Sequence, residues 1–128
     1  MVILKKGILF LCTGNSCRSQ MAEGFAKKML SKDIKFFSAG LEPKGIHPMA
    51  VKVMQEVGID ISHQKSKNIY EIPLDKINIV ITLCGDAAER CPIFPGKVER
   101  IHWEIEALLK PREAKKRLLK YSGEFAIK

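Results

Sequence analysis

The stretch Gly7-Ile8-Leu9-Phe10-Leu11-Cys12-Thr13-Gly14-Asn15-Ser16-Cys17-Arg18-Ser19 decides how the rest of the chain is read. Its first half is an unbroken apolar run, the pattern of a parallel strand buried on both faces, and Ile8 to Cys12 is read as that strand. Its second half is a short polar loop. From Ser19 to Ser31 the apolar residues Met21, Ala22, Phe25, Ala26, Met29 and Leu30 then recur at helical spacing, while Glu23, Lys27 and Lys28 face elsewhere. Strand, loop and helix follow one another directly, with a cysteine where the strand ends.

The same alternation continues downstream. Lys35 to Ala39 reads as a second strand closed by Gly40, and Pro48 stands at the first position of a helix whose apolar face is Ala50, Val53, Met54 and Val57 and whose stop is Gly58. A short helix is expected near Asn68–Tyr70. Asn78 to Cys84 supplies a third buried strand, again ending on a cysteine, Val98 to Trp103 a fourth, and Pro111 opens a last helix. Alternating strands and helices predict an α/β fold with an open sheet, in which ligands bind beyond the C-terminal ends of the strands. Cys12 and Cys84 therefore point to one edge.

The chain has 128 residues, 46% of them apolar, which suits a single domain spanning residues 1–128. The longest apolar run, Gly7 to Cys12, is far shorter than the roughly 20 residues of a membrane span, and no cleavage-site pattern follows Lys5-Lys6, so a soluble, cytoplasmic protein is expected; it is taken to be a monomer. Four cysteines in such a chain point to reactive thiols rather than structural staples. The net charge is +8, of which +5 falls in residues 110–128. Aromatic residues are not interleaved with those charges, and Ala114, Leu118, Leu119 and Tyr121 fit the buried stripe of a helix, so a solvated helix face is read there rather than a nucleic-acid site.

Cys12-Thr13-Gly14-Asn15-Ser16-Cys17-Arg18-Ser19 is a C-x5-R-S sequence between a strand and a helix. A short loop opening a helix turns successive backbone N–H groups inward and so forms a nest for a tetrahedral oxyanion, with Gly14 permitting the tight path. The same donors and Arg18 favour a thiolate at Cys12, which makes it the candidate nucleophile. Arg18 can bind two oxygens of the anion through its planar fork. Asn15 is placed to brace the loop, and Ser19 to donate to the cysteine sulfur. Thr13, Gly14, Asn15, Ser16, Cys17, Arg18 and Ser19 are thus the candidate substrate-binding residues.

This loop, together with Ser38-Ala39-Gly40 and Gly58-Ile59-Asp60-Ile61-Ser62, resembles the low-molecular-weight tyrosine phosphatase fold family. The resemblance implies a four-stranded parallel sheet flanked by helices. The segment from Thr82 to Pro95, which contains Cys84 and Cys91, and the pair His102-Trp103 are similar to the thioredoxin-coupled arsenate reductases built on that fold. That resemblance implies a relay in which Cys12 binds arsenate, Cys84 attacks Cys12 and releases arsenite, and Cys91 closes a Cys84–Cys91 disulfide for a thioredoxin-like dithiol protein to reduce, with no bound cofactor. Asp86 to Glu89 reads as a helix start with a capping-box-like pair. Residues seven apart along a helix are separated by about 10.5 Å, whereas the Cα atoms of a disulfide lie roughly 4.4–6.8 Å apart, so a helix between Cys84 and Cys91 must unwind on oxidation.

Other readings are weaker. A phosphatase acting on phosphotyrosine or a small phosphoester, with Cys84 and Cys91 as a regulatory pair, is the alternative, and a non-catalytic oxyanion-binding module is a third. The spacings Cys12-x4-Cys17 and Cys84-x6-Cys91 are long for structural zinc, and no metal is expected. His47, His63 and His102 are read as surface or hydrogen-bonding residues, and Trp103 as packing. The family's general acid is an Asp before Pro shortly after His-Trp; here Ala107 stands in its place, with Glu104 and Glu106 nearby, so phosphatase activity is expected to be weak. Lys67 replaces an acidic residue that some of these reductases use for a monovalent cation. Potassium dependence is therefore not expected.

Overall fold

The computed structural model describes residues 6–16, 18–29 and 34–103. The elements run β1 (Lys6–Cys12), α1 (Arg18–Met29), β2 (Ile34–Gly40), α2 (Pro48–Glu56), two single 3-10 turns (Ile69–Glu71 and Leu74–Lys76), β3 (Ile79–Thr82), α3 (Gly85–Arg90) and β4 (Glu99–His102). All strand pairings are parallel, in the order β2-β1-β3-β4. The chain leaves β1 toward β2 on one side and later returns to place β3 on the other. That reversal opens a crevice at the C-terminal ends of β1 and β3.

The period-2 alternation of β1 divides the core. Ile8, Phe10 and Cys12 pack with Met21, Phe25, Met54 and Trp103 on one face of the sheet, while Leu9 and Leu11 pack with Ile69, Val80, Ala87 and Phe94 on the other. Both faces of the strand are covered, which is why it reads as a continuous apolar run. Trp103 lies against Phe10, their rings 6.4 Å apart, and packs as expected.

Three expectations need correction. Glu23 does not face solvent: it is 4% exposed, accepting from Ser38 Oγ and Lys27 Nζ, so a polar side chain occupies part of the inward face of α1. The third strand stops at Thr82, two residues before Cys84. Cys84 is instead the N-cap of α3, and its sulfur accepts from Ala87 N–H at 3.3 Å. The pair Asp86 and Glu89 does not cap that helix, because the Asp86 carboxylate is taken up by other partners described below. Cys17, Glu104, Glu106, Ala107, the helix expected from Pro111 and the basic segment 110–128 lie outside the described residues.

Candidate active site

The loop that follows β1 is held from outside by its carbonyl groups. Cys12 O, Thr13 O, Gly14 O and Ser16 O accept from the backbone N–H groups of Leu41, Glu42, Lys44 and His47, at 3.3, 2.8, 2.9 and 2.8 Å, and Asn15 O accepts from Gln20 Nε2 at 3.1 Å. Five successive carbonyls thus point away from the site. In a trans peptide the following N–H points opposite to the carbonyl, so the N–H groups of Thr13 to Ser16 are turned the other way, as an oxyanion nest requires. Asn15 N–H donates to Cys12 Sγ at 3.1 Å, which shows the direction directly.

Asn15 is the hinge of this turn. Its φ of 46° is left-handed, a region that asparagine tolerates better than most residues, and it is fully buried. Its side chain is held at both ends: Oδ1 accepts from Lys67 N–H at 2.6 Å and Gln20 Nε2 at 3.0 Å, and Nδ2 donates to Ser19 Oγ at 2.7 Å. Gln20 is itself gripped by Gln64, whose Nε2 donates to Gln20 Oε1 at 2.8 Å. Gly40, at the end of β2, allows this close approach, since a Cβ there would stand 2.7 Å from Thr13 O and 2.8 Å from Asn15 N.

Cys12 is 7% exposed, with Ser19 Oγ 2.9 Å from its sulfur. Cys12, Thr13, Gly14, Ser16, Arg18 and Cys84 line one open pocket of about 280 Å³. Arg18 is exposed at this pocket and Ser19 fully buried beneath it. The Thr13 hydroxyl lies 3.3 Å from Cys84 Sγ and donates to Asp86 Oδ2 at 2.7 Å. Cys91 closes the far end of α3 and does not line the pocket; its thiol is half-buried, and burial pushes it above the usual thiol range while Arg100 pulls the other way. The three described cysteines are free thiols.

A larger cavity of about 570 Å³ lies elsewhere, between α1, β2 and residues 63–67, and contains no cysteine. Among the described residues no group of three His, Cys, Asp or Glu could hold a metal ion, and no helix is long and apolar enough to cross a membrane. His47 caps α2 through Nδ1, and His102 Nδ1 lies 2.8 Å from Thr82 Oγ1. His63 is exposed on the surface.

The loop and Cys84 were legible from local patterns. The contacts of Asp86, Glu42, Gln64 and the main chain of Lys67 were not, because each reaches the oxyanion loop from a distant part of the chain, and although Gln20 is only five residues from Asn15, no local pattern marks its amide as a partner.

Residues 7–116 match the low molecular weight phosphotyrosine protein phosphatase family. The arsenate reductase of Shouchella clausii is 57% identical over 102 residues, covering 80% of this chain and 73% of that protein. A solved arsenate reductase in the phosphate binding state is 35% identical, covers 93% of this chain and 98% of its own, and superposes with a TM-score of 0.80. The thioredoxin-dependent arsenate reductase of Corynebacterium glutamicum is 29% identical, with a TM-score of 0.78 over 95% of this chain and 62% of that one.

Proposed function

Since the chain belongs to the low molecular weight phosphotyrosine protein phosphatase family, and within it to the arsenate reductases, we propose that it reduces arsenate to arsenite through Cys12, Cys84 and Cys91. The observation that carries this reading is the pocket shared by Cys12 and Cys84 above a loop whose N–H groups are turned inward. Arsenate has the shape and charge of phosphate and sits in the nest, with Arg18 bridging two of its oxygens. The Cys12 thiolate forms a bond to arsenic, and one arsenate oxygen takes up protons and leaves as water.

The Cys84 thiolate then attacks the Cys12 sulfur. The sulfur–arsenic bond breaks with its electron pair remaining on arsenic, which passes from As(V) to As(III) and departs as arsenite, while two thiols become the Cys12–Cys84 disulfide. Cys91 next attacks Cys84, the Cys12 thiolate leaves, and the Cys84–Cys91 disulfide is reduced by a thioredoxin-like dithiol protein. No bound cofactor takes part. The reaction is assigned to a cytoplasmic monomer, where such reductants are available. Phosphoester hydrolysis is the less favoured reading, since it has no use for a second cysteine in the pocket or a third seven residues on.

A single turnover tests the reading. Fully reduced protein is mixed with stoichiometric arsenate without external thiol, alkylated, and mapped by peptide mass. One arsenite per chain with a Cys84–Cys91 disulfide is expected. Four free thiols with arsenate still bound would overturn the reading.

A further inference from the structure

Cys91 reaches Cys84 only if α3 unwinds, so whatever holds α3 wound governs the relay. The helix is six residues long and buries only Ala87, too little to hold itself in water. Its hold comes from a ring of side chains. Thr13 Oγ1 donates to Asp86 Oδ2 at 2.7 Å, Arg90 Nη1 donates to that same oxygen at 3.0 Å and to Glu42 Oε2 at 2.9 Å, and Glu42 N–H returns to Thr13 O at 2.8 Å. The ring ties both ends of α3 to the oxyanion loop and to the segment after β2. Arg90 immediately precedes Cys91, so its pair with Glu42 restrains the segment that must move for Cys91 to approach Cys84.

We propose that Arg90 and Glu42 are positioning residues of the relay: the Thr13–Asp86–Arg90–Glu42 ring latches α3 in its wound form and holds Cys91 away from Cys84 until the first disulfide has formed. This rests on the three-cysteine reading above. In the reduced protein the latch keeps Cys84 beside Thr13 at the pocket and slows idle closure of Cys84 with Cys91 by an oxidant. When Cys84 bonds to Cys12, its sulfur gives up Ala87 N–H and its place beside Thr13, so α3 loses its N-cap and keeps only the Thr13–Asp86 hydrogen bond and the ion pairs of Arg90. The ion pairs are exposed and weak, and they open. Cys91 Sγ then bonds to Cys84 Sγ, the Cys84–Cys12 bond breaks, and its electron pair leaves on Cys12, with no outside oxidant.

Glu42→Gln is the informative variant, because Glu42 lies outside α3 and its replacement leaves the helix's own propensity unchanged. Two rates are measured in reduced protein at low ionic strength: amide exchange at Glu89 and Arg90, and diamide-driven closure of Cys84–Cys91 in a Cys12→Ser background. Glu42→Gln is expected to raise both about two- to fivefold, the range that exposed ion pairs supply. Salt at about 1 M is expected to raise the wild-type rates more than those of the variant, which keeps only the Asp86–Arg90 pair to be screened. Unchanged rates in Glu42→Gln, equal acceleration of exchange across β1 and β3, or an equal salt effect on both proteins would overturn the latch. Neither measurement uses arsenate, so a failure of the reduction reading would show in the single turnover and not here.

Discussion

Ser19 Oγ lies 2.9 Å from Cys12 Sγ and at the same time accepts from Asn15 Nδ2 at 2.7 Å. A Cys12 thiolate has no hydrogen to give, so toward it the Ser19 hydroxyl is the donor, and the amide of Asn15 holds that hydroxyl in place.

Ser19→Ala removes that donor from a fully buried position and leaves a space smaller than a water molecule needs, so the fold is expected to survive. A hydrogen bond to a charged group is worth about 1.5–3 kcal/mol, so alkylation of Cys12 by iodoacetamide at neutral pH is expected to slow by about tenfold or more. Wild-type alkylation rates in the variant would show that the donors of the backbone suffice.

Gly40→Ala places a Cβ 2.7 Å from Thr13 O and 2.8 Å from Asn15 N, both backbone atoms that cannot swing aside. The expected result is a loss of about 1–3 kcal/mol in denaturant unfolding, with anion binding weakened as the loop shifts. Calorimetric titration with phosphate against the unfolding curve separates the two effects.

The pH dependence of the second exchange follows from Cys91. Burial raises its thiol above the usual range, with Arg100 opposing, so the attacking thiolate is scarcer at neutral pH than for a free cysteine. Closure of Cys84–Cys91 is therefore expected to accelerate as pH rises through and beyond the ordinary thiol range, approaching tenfold per unit while the thiol remains protonated. Arg100→Ala removes the opposing charge and is expected to slow closure at neutral pH and shift the profile upward. Quenched-flow alkylation of the Cys12–Cys84 intermediate measures both.

Glu23 sits buried against Ser38 Oγ and Lys27 Nζ, with Lys67 Nζ 3.8 Å from Oε1, the oxygen that also accepts from Ser38. An ammonium group already stands beside the carboxylate, so turnover and melting temperature are expected to be the same in potassium and in choline salts. Lys67→Met removes that charge, and a response to potassium that appears only in this variant would show that the lysine had excluded the ion.

What the sequence determined by itself was everything that repeats at short range. The apolar run of Ile8 to Cys12, the helical spacing after Ser19, Pro48 and Gly58 as helix punctuation, and the C-x5-R-S loop are local patterns, and each reflects burial or backbone geometry acting on neighbouring residues. They were enough to place Cys12 and Cys84 at one sheet edge, because parallel strands align their C-terminal ends. The tertiary structure alone decided which side chains serve those cysteines. Asn15 is held by the main chain of Lys67, Thr13 meets Asp86, and Arg90 meets Glu42, joining positions separated by 52, 73 and 48 residues. A hydrogen bond depends on distance and angle in space, and no periodicity records it along the chain. For the same reason Glu23, read from its spacing as a surface charge, proved to be a buried acceptor once β2 brought Ser38 against it.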